Sequence, residues 1–190
     1  SAQSTLLTGL LPRDHGIVAN GWYARDLAEV MFWKQSNRLV QGEKIFETAK
    51  RRDPAYTTAK MFWWYNMYAP VEWSVTPRPS YPADGRKVFD SYSQPEGLKD
   101  ELQSELGVFP LLRFWGAGAD ITSSRWIVDA SIKVFQEKKP NLTLVYLPHL
   151  DYNLQRLGAS DPAIDQDIRE IDQEAGRLIE AGQNAGAEIV

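Results

Sequence analysis

Two places in the sequence hold polar side chains of the kinds that handle phosphates and cations. The first is Asn20, which follows Gly16-Ile17-Val18-Ala19 and precedes Gly21. A neutral amide beside a glycine can approach an anionic oxygen closely, as an oxyanion or phosphate contact requires. A turn asparagine with left-handed backbone fits the same pattern. The second is Pro148-His149-Leu150-Asp151-Tyr152-Asn153-Leu154-Gln155, directly behind an apolar run. A carboxylate just past a buried strand is held rigidly at the sheet edge, which suits a hard or borderline cation. Asp151 could equally cap the turn that follows. His149 and Asp151 are two apart, so in extended chain they share a face, as a metal pair or a hydrogen-bonded pair. His15, in a loop before Gly16, reads as a structural hydrogen-bonding residue. Trp64, Tyr65 and Asn66 follow a second strand candidate and are candidates for substrate contacts, with core packing as the alternative.

The elements that must position these residues alternate between helix and strand. Residues 1–9 read as a helix stopped by Gly9, and 42–52 as a helix with a Lys50-Arg51-Arg52 tail before Pro54. Basic residues in a last turn complement the helix dipole. Residues 30–33, 58–64 and 142–147 read as strands; the last is apolar almost throughout, as in a central strand covered on both faces. Residues 97–106 form a short helix closed by Gly107. Asp120 caps a longer helix in which Ile121, Ser124, Val128, Ile132 and Phe135 recur at helical spacing. Asp161-Pro162 opens the last helix, with Ile164, Ile168, Ile171, Ala175 and Leu178 inward and a solvated face of Asp, Glu and Gln. Ala187 to Val190 reads as the start of another buried strand. Short strands alternating with helices make an α/β fold with a mostly parallel sheet, whose ligands gather beyond the carboxyl ends of the strands.

Residues 66–118 are read as an ordered Pro- and aromatic-rich excursion, a cap or insertion with a short strand near Trp73-Ser74-Val75. The whole of 1–190 is taken as one partial catalytic domain.

Composition narrows the function further. The 190 residues carry a net charge of −4, and the pI is near 5.3. A nucleic-acid binder that neutralises phosphates is normally basic, so no nucleic-acid polymer is expected as partner. Cysteine is absent, which excludes disulfides, thiolate metal sites and cysteine nucleophiles. No run is long and apolar enough for a membrane segment, no signal peptide is visible, and the expected location is soluble, cytoplasmic rather than periplasmic. Both ends look cut, so the chain is expected to be a piece of a longer protein. The seven Trp, eight Tyr and seven Phe support a reading from another class. Trp63, Trp64, Tyr65, Trp73 and Tyr81 could stack on sugar rings in a carbohydrate- or peptide-binding module.

Residues 4–23 contain Thr8-Gly9-Leu10-Leu11-Pro12-Arg13-Asp14-His15-Gly16-Ile17-Val18-Ala19-Asn20. This block resembles the T-G-x-x-P-x-x-H-G-I-x-x-N pattern of the type I phosphodiesterase/nucleotide pyrophosphatase family, in the alkaline phosphatase superfamily. Leu144-Val145-Tyr146-Leu147-Pro148-His149-Leu150-Asp151 resembles that family's strand delivering a metal-binding aspartate. The resemblance implies a three-layer α/β/α fold. It also implies metal-dependent hydrolysis of a phosphoester, phosphoanhydride or phosphonate, on a small phosphorylated or phosphonate substrate. Two divalent cations are implied, zinc or manganese, with a Thr or Ser alkoxide as nucleophile. By motif, Asn20 matches the amide that contacts a phosphoryl oxygen and Asp151 a metal ligand. Gln155 stands where the family commonly has a histidine on the same metal, and an amide is a poor zinc ligand beside imidazole. The nucleophile position falls before Ser1 and the second metal-binding block after Val190. Thr5 and Thr8 sit on the helix behind the motif and are not expected to replace the nucleophile. The implied site is therefore incomplete, and this piece is expected to be inactive. Gln155 also leaves open a degenerate, non-catalytic family member.

Overall fold

Gly9, at φ +69°, ends the first helix, α1 (Ala2–Thr8), as the sequence suggests. A one-turn helix, α2 (Pro12–His15), follows and closes on Gly16 at φ +82°. The computed structural model describes residues 1–86 and 88–190. Strands β1 (Gly21–Ala24) and β2 (Glu29–Phe32) form an antiparallel hairpin outside the main sheet. The strand expected over 30–33 is thus real but not buried in the sheet, and Val30 and Phe32 face solvent.

Helix α3 (Ile45–Arg52) begins where Glu47 reaches back to accept the Lys44 N–H at 2.9 Å. Strand β3 (Thr58–Met61) is shorter than the expected 58–64. Strands β4 (Trp73–Pro77) and β5 (Ser91–Gln94) follow, then helices α4 (Leu98–Leu106), α5 (Leu111–Phe114) and α6 (Ile121–Lys138). Asp120 caps α6 through Thr122 N–H at 2.9 Å. Strand β6 (Leu142–Val145) and helices α7 (His149–Leu157) and α8 (Ala163–Asn184) complete the order.

The sheet runs β5-β4-β3-β6, with β4, β3 and β6 parallel and β5 antiparallel at one side. It is the middle of three layers. On one face Ala59, Met61 and Val75 pack with Leu98, Leu102, Phe114, Trp126, Ile127 and Val134 from α4, α5 and α6. On the other, Leu142, Leu144 and Tyr146 meet Leu7 of α1 and Phe46 of α3. Part of the 66–118 stretch therefore belongs to the sheet itself as β4 and β5. Between them Ser80 and Val88 form one isolated bridge.

Three expectations need correcting. Strand β6 is not central: among the described residues it pairs only with β3, and all four of its residues are half-buried. Its apolar pattern reports cover on both faces, which it has, and carries no information about its edges. Residues 187–190 form no strand; Ala187 N–H instead closes α8 by bonding Gly182 O at 2.9 Å. Helix α8 keeps Asp165, Asp172 and Glu180 in water but not all of its acids. Asp167 and Glu174 are buried against α7 and α6, while Ile168 is exposed. Polar partners from α6, α7 and α8 itself offset part of this cost. Arg125 and Arg177 bond Glu174 at 3.3 and 2.7 Å, and Asn153 donates to Asp167 at 3.1 Å.

Candidate active-site edge

The segment that carries Asn20 is fixed by its buried histidine. His15 is fully enclosed. Its Nδ1 accepts the Ile17 N–H at 3.1 Å, so Nε2 carries the proton and faces Thr5 Oγ1 at 3.0 Å. This is the structural role read from the sequence. Thr8 is likewise committed to its helix end: its hydroxyl donates to Ser4 O at 2.8 Å and accepts from Leu10 N–H at 3.2 Å.

Beyond this turn, Ile17 is buried with Val40 and Tyr65, and Trp22 and Trp64 pack against the same cluster. Asn20 lies between Ile17 and Trp22 with an exposed side chain. Its carbonyl accepts the Trp33 N–H at 3.0 Å, which closes the β1–β2 hairpin. Gly21 serves the hairpin too, since a Cβ there would meet the Phe32 ring at 2.7 Å.

Strand β3 leads into a loop of aromatics in unusual backbone. Phe62, Tyr65 and Tyr68 have φ of +59°, +54° and +60°, a region that bulky residues enter at a cost. The Trp64 N–H bonds Gln3 Oε1 at 2.8 Å, joining α1 to this loop. Tyr65 is buried, and its carbonyl accepts from Lys60 Nζ at 3.4 Å. Asn66 is fully enclosed, and its Nδ2 donates to Lys60 O at 3.0 Å and Val75 O at 3.1 Å. Its amide bridges the ends of β3 and β4. Of the three candidate contact residues, only Trp64 keeps surface at this edge.

Asp151 stands in the first turn of α7, exposed, and accepts the Tyr146 hydroxyl at 2.6 Å. Burial first, and then the Asp151 carboxylate, push the Tyr146 hydroxyl well above the ordinary phenol range, and the Trp64 indole beside it acts the other way. Gln155 is one helical turn further, exposed and on the Asp151 face. His149 is not: its segment is helical rather than extended, so two residues of spacing turn it to the far side, where it is buried against α8. Contacts thus run along the carboxyl ends of β3 and β6, from Ile17 and Trp22 through Tyr65 and Trp64 to Tyr146 and Asp151.

A cation at Asp151 would find one carboxylate and the Gln155 amide. Catalytic zinc takes three protein ligands. Among the described residues, the one set of three His or acidic side chains that converges within ligand distance is His149, Asp167 and Glu170, which excludes Asp151. The described residues do not by themselves complete a metal centre at this edge.

Beside the edge lies a cleft of about 850 Å3, lined by Trp33, Tyr68, Arg78, Tyr81, Phe89 and Trp115 among others. Trp33 packs on Trp64 with ring centroids 5.5 Å apart and on Trp115 at 5.6 Å. The cleft was not legible in the sequence, because its rings come from the end of the hairpin, the loop after β3, Tyr81 and Phe89 before β5, and the end of α5. Of the rings read as a sugar-stacking platform, Trp63 and Tyr65 are buried and Trp64 and Trp73 pack on the core; only Tyr81 is open. Those five residues form no exposed platform.

A family model described as type I phosphodiesterase/nucleotide pyrophosphatase matches residues 1–189. No curated protein sequence matches the chain. Among solved structures, murine ectonucleotide pyrophosphatase/phosphodiesterase 5, in an inactive form with AMP, superposes with a TM-score of 0.57 at 19% identity, over 97% of this chain and 40% of that one. Phosphonoacetate hydrolase from Sinorhizobium meliloti, with phosphonoformate, gives a TM-score of 0.56 at 15% identity, over 94% of this chain and 41% of that one. Human ectonucleotide pyrophosphatase/phosphodiesterase 5 gives 0.53 at 19% identity, over 97% and 40%. The chain spans about 40% of the length of these structures. Among its described residues, no helix is long and apolar enough to cross a membrane.

Proposed function

Since the chain belongs to the type I phosphodiesterase/nucleotide pyrophosphatase family, we propose that it supplies one side of the active site of a metal-dependent hydrolase. The substrates are small molecules with a phosphoester, phosphoanhydride or phosphonate bond. In this reading the Asn20 amide donates to a phosphoryl oxygen. Asp151 is a metal ligand, and Gln155 is a neutral and weaker neighbour on the same face. Trp64 borders the reacting group, and the aromatic cleft with Arg78 receives the rest of the substrate. Tyr65 and Asn66 act one step removed, by fixing the loop that carries Trp64.

What supports the reading most is the unbroken run of contacts from the Asn20 segment through Trp64 to Asp151 at the carboxyl ends of parallel strands. That edge is where open α/β sheets gather ligands. The cleft adds support, because stacked rings beside a phosphate contact suit a ligand with a planar group. AMP and phosphonoformate, the ligands of two structural neighbours, serve as probes. A metal at Asp151 would supply Lewis-acid stabilisation of phosphoryl charge. The residues here supply orientation and a hydrogen bond, and the chain alone is inactive because its donors do not complete a metal centre.

The test is phosphodiester hydrolysis with zinc or manganese, run on the purified 190-residue chain and on the product of the whole reading frame. The chain alone should show no turnover above background, and the longer product should be active. Asn20→Ala and Asp151→Ala in the longer product should each lower kcat/KM by about 100-fold or more. Wild-type rates in both variants would remove these residues from the site. No turnover of any phosphodiester, anhydride or phosphonate, with AMP still bound, would favour the non-catalytic member that Gln155 suggests.

A further inference from the structure

The far side of α7 holds a second set of polar groups, none of which takes part in the edge described above. His149 is 3% exposed, and neither of its ring nitrogens has a hydrogen-bond partner among the described residues. Its Nε2 points between two acids on α8, at 3.4 Å from Asp167 Oδ1 and 3.4 Å from Glu170 Oε2. Asp167 is also buried, and its Oδ2 has no partner. Burying an imidazole and a carboxylate with orphaned atoms is costly unless something satisfies them.

The distances indicate what would do so. They are long for a charged hydrogen bond, which closes to about 2.7–2.9 Å. A tetrahedral zinc site with bonds of about 2.0–2.1 Å separates neighbouring donors by roughly 3.3 Å. The one-atom donors of all three residues lie within 4.8 Å of one another. One neutral imidazole and two carboxylates also balance a divalent charge. Asn153 Nδ2 supports the Asp167 ligand by donating to Oδ1 at 3.1 Å, and the Tyr152 ring packs edge-on to His149 at 6.0 Å, while Nδ1 of His149 has no partner among the described residues.

We propose that His149 Nε2, Asp167 and Glu170 bind a divalent cation of the zinc class, which braces α7 against α8. The unpartnered Asp167 Oδ2 or a water takes the remaining position. This centre shares no ligand with Asp151 and lies on the other face of α7. Its task is to hold the helix that carries Asp151 and Gln155, not to touch substrate.

The experiment uses the untagged chain stripped of metal by a chelator. Zinc binding is followed by calorimetry, cobalt binding by visible absorption, and melting temperature is recorded with and without zinc. Wild type and Asp151→Ala should each bind zinc at this site, give the intense absorption of low-symmetry cobalt, and melt higher with zinc. Asp167→Asn and Glu170→Gln should weaken zinc by about 100-fold, since even outer-sphere partners cost 10–100-fold. Both should lose the zinc-dependent rise in melting temperature. Glu170 is half exposed, so Glu170→Gln carries the test if Asp167→Asn does not fold. The proposal fails if wild type takes up no zinc, as for a plain imidazolium–carboxylate cluster. It also fails if Glu170→Gln binds as wild type does, or if binding disappears in Asp151→Ala.

Discussion

Lys60 offers a sharp test of how the end of β3 is held. It lies in the middle of that strand with no exposed surface. Its ammonium sits 4.9 Å from the centre of the Phe46 ring and donates to Tyr65 O at 3.4 Å. Among the described residues, no carboxylate pairs with it. Burial lowers its pKa from 10.5 to about 7, the Lys44 charge adds to the effect, and Glu47 opposes it. The sign follows directly. Between about pH 7 and 10.5 the unfolded chain holds a proton that the folded chain has released, so stability rises with pH across that window. Below pH 7 the full penalty applies, about 5 kcal/mol relative to strongly alkaline solution. Lys60→Met keeps most of the stem's packing and removes the charge, at the loss of one hydrogen bond worth about 1 kcal/mol. The variant should therefore be more stable than wild type by about 3 kcal/mol at pH 6.5, and by less than about 0.5 kcal/mol at pH 9.5. Urea midpoints at the two pH values measure this, with equal slopes required for a two-state comparison. A variant that is no more stable at pH 6.5, or that gains equally at both pH values, would refute the reasoning.

Asn66→Ala should lower stability by about 2 kcal/mol, since it removes two buried hydrogen bonds at once. In a chain of this length that is a fall in melting temperature of about 4–8 °C, read by circular dichroism; an unchanged melt would show that the Asn66 bridge carries no weight. Gln155→His should tighten zinc at the Asp151 edge by at least about 10-fold, because imidazole replaces a neutral amide. Calorimetry in a Glu170→Gln background, which weakens the other site, reads this one, and an unchanged affinity would place Gln155 away from the metal. Trp115→Ala should weaken AMP binding to the longer product by about 1–2 kcal/mol, through loss of a stacking ring. Equal affinity by titration would move the ligand out of the cleft.

Local signals in the sequence were reliable where one residue decides the backbone. Gly9 stops α1 and Asp120 caps α6, whereas the helix closed by Gly16 and the division of β6 residues between the two layers are seen only in the structure. The structural role of His15 was legible too, and both of its ring nitrogens are engaged within the first 17 residues. What failed depends on partners distant in sequence. The acids of α8 look like a solvated face until Arg125, Asn153 and His149 are brought to them. His149 and Asp151 look like a pair until Pro148 starts a helix and sends them to opposite sides. Nothing at residues 62–68 announces three aromatics in left-handed backbone, because only the surrounding contacts can hold them there.

That loop connects stability to the site. Phe62, Tyr65 and Tyr68 each carry a backbone cost of about 1 kcal/mol or more, and Lys60 adds a buried charge next to them. Packing alone does not call for either, since a methionine would fill the space of Lys60 and an extended loop would avoid the strain. Both features meet at Tyr65, whose carbonyl takes the Lys60 ammonium and whose ring is gripped by Ile17 and Val40. Their joint effect is to fix Trp64 between Tyr146 on one side and Trp33 on the other. A rigid Trp64 there is a wall shared by the Asp151 edge and the aromatic cleft. In the proposed site, the strain retained at the end of β3, with its contacts directed toward the half-buried Trp64 indole, would hold a ligand's reacting group in a fixed place relative to its planar group.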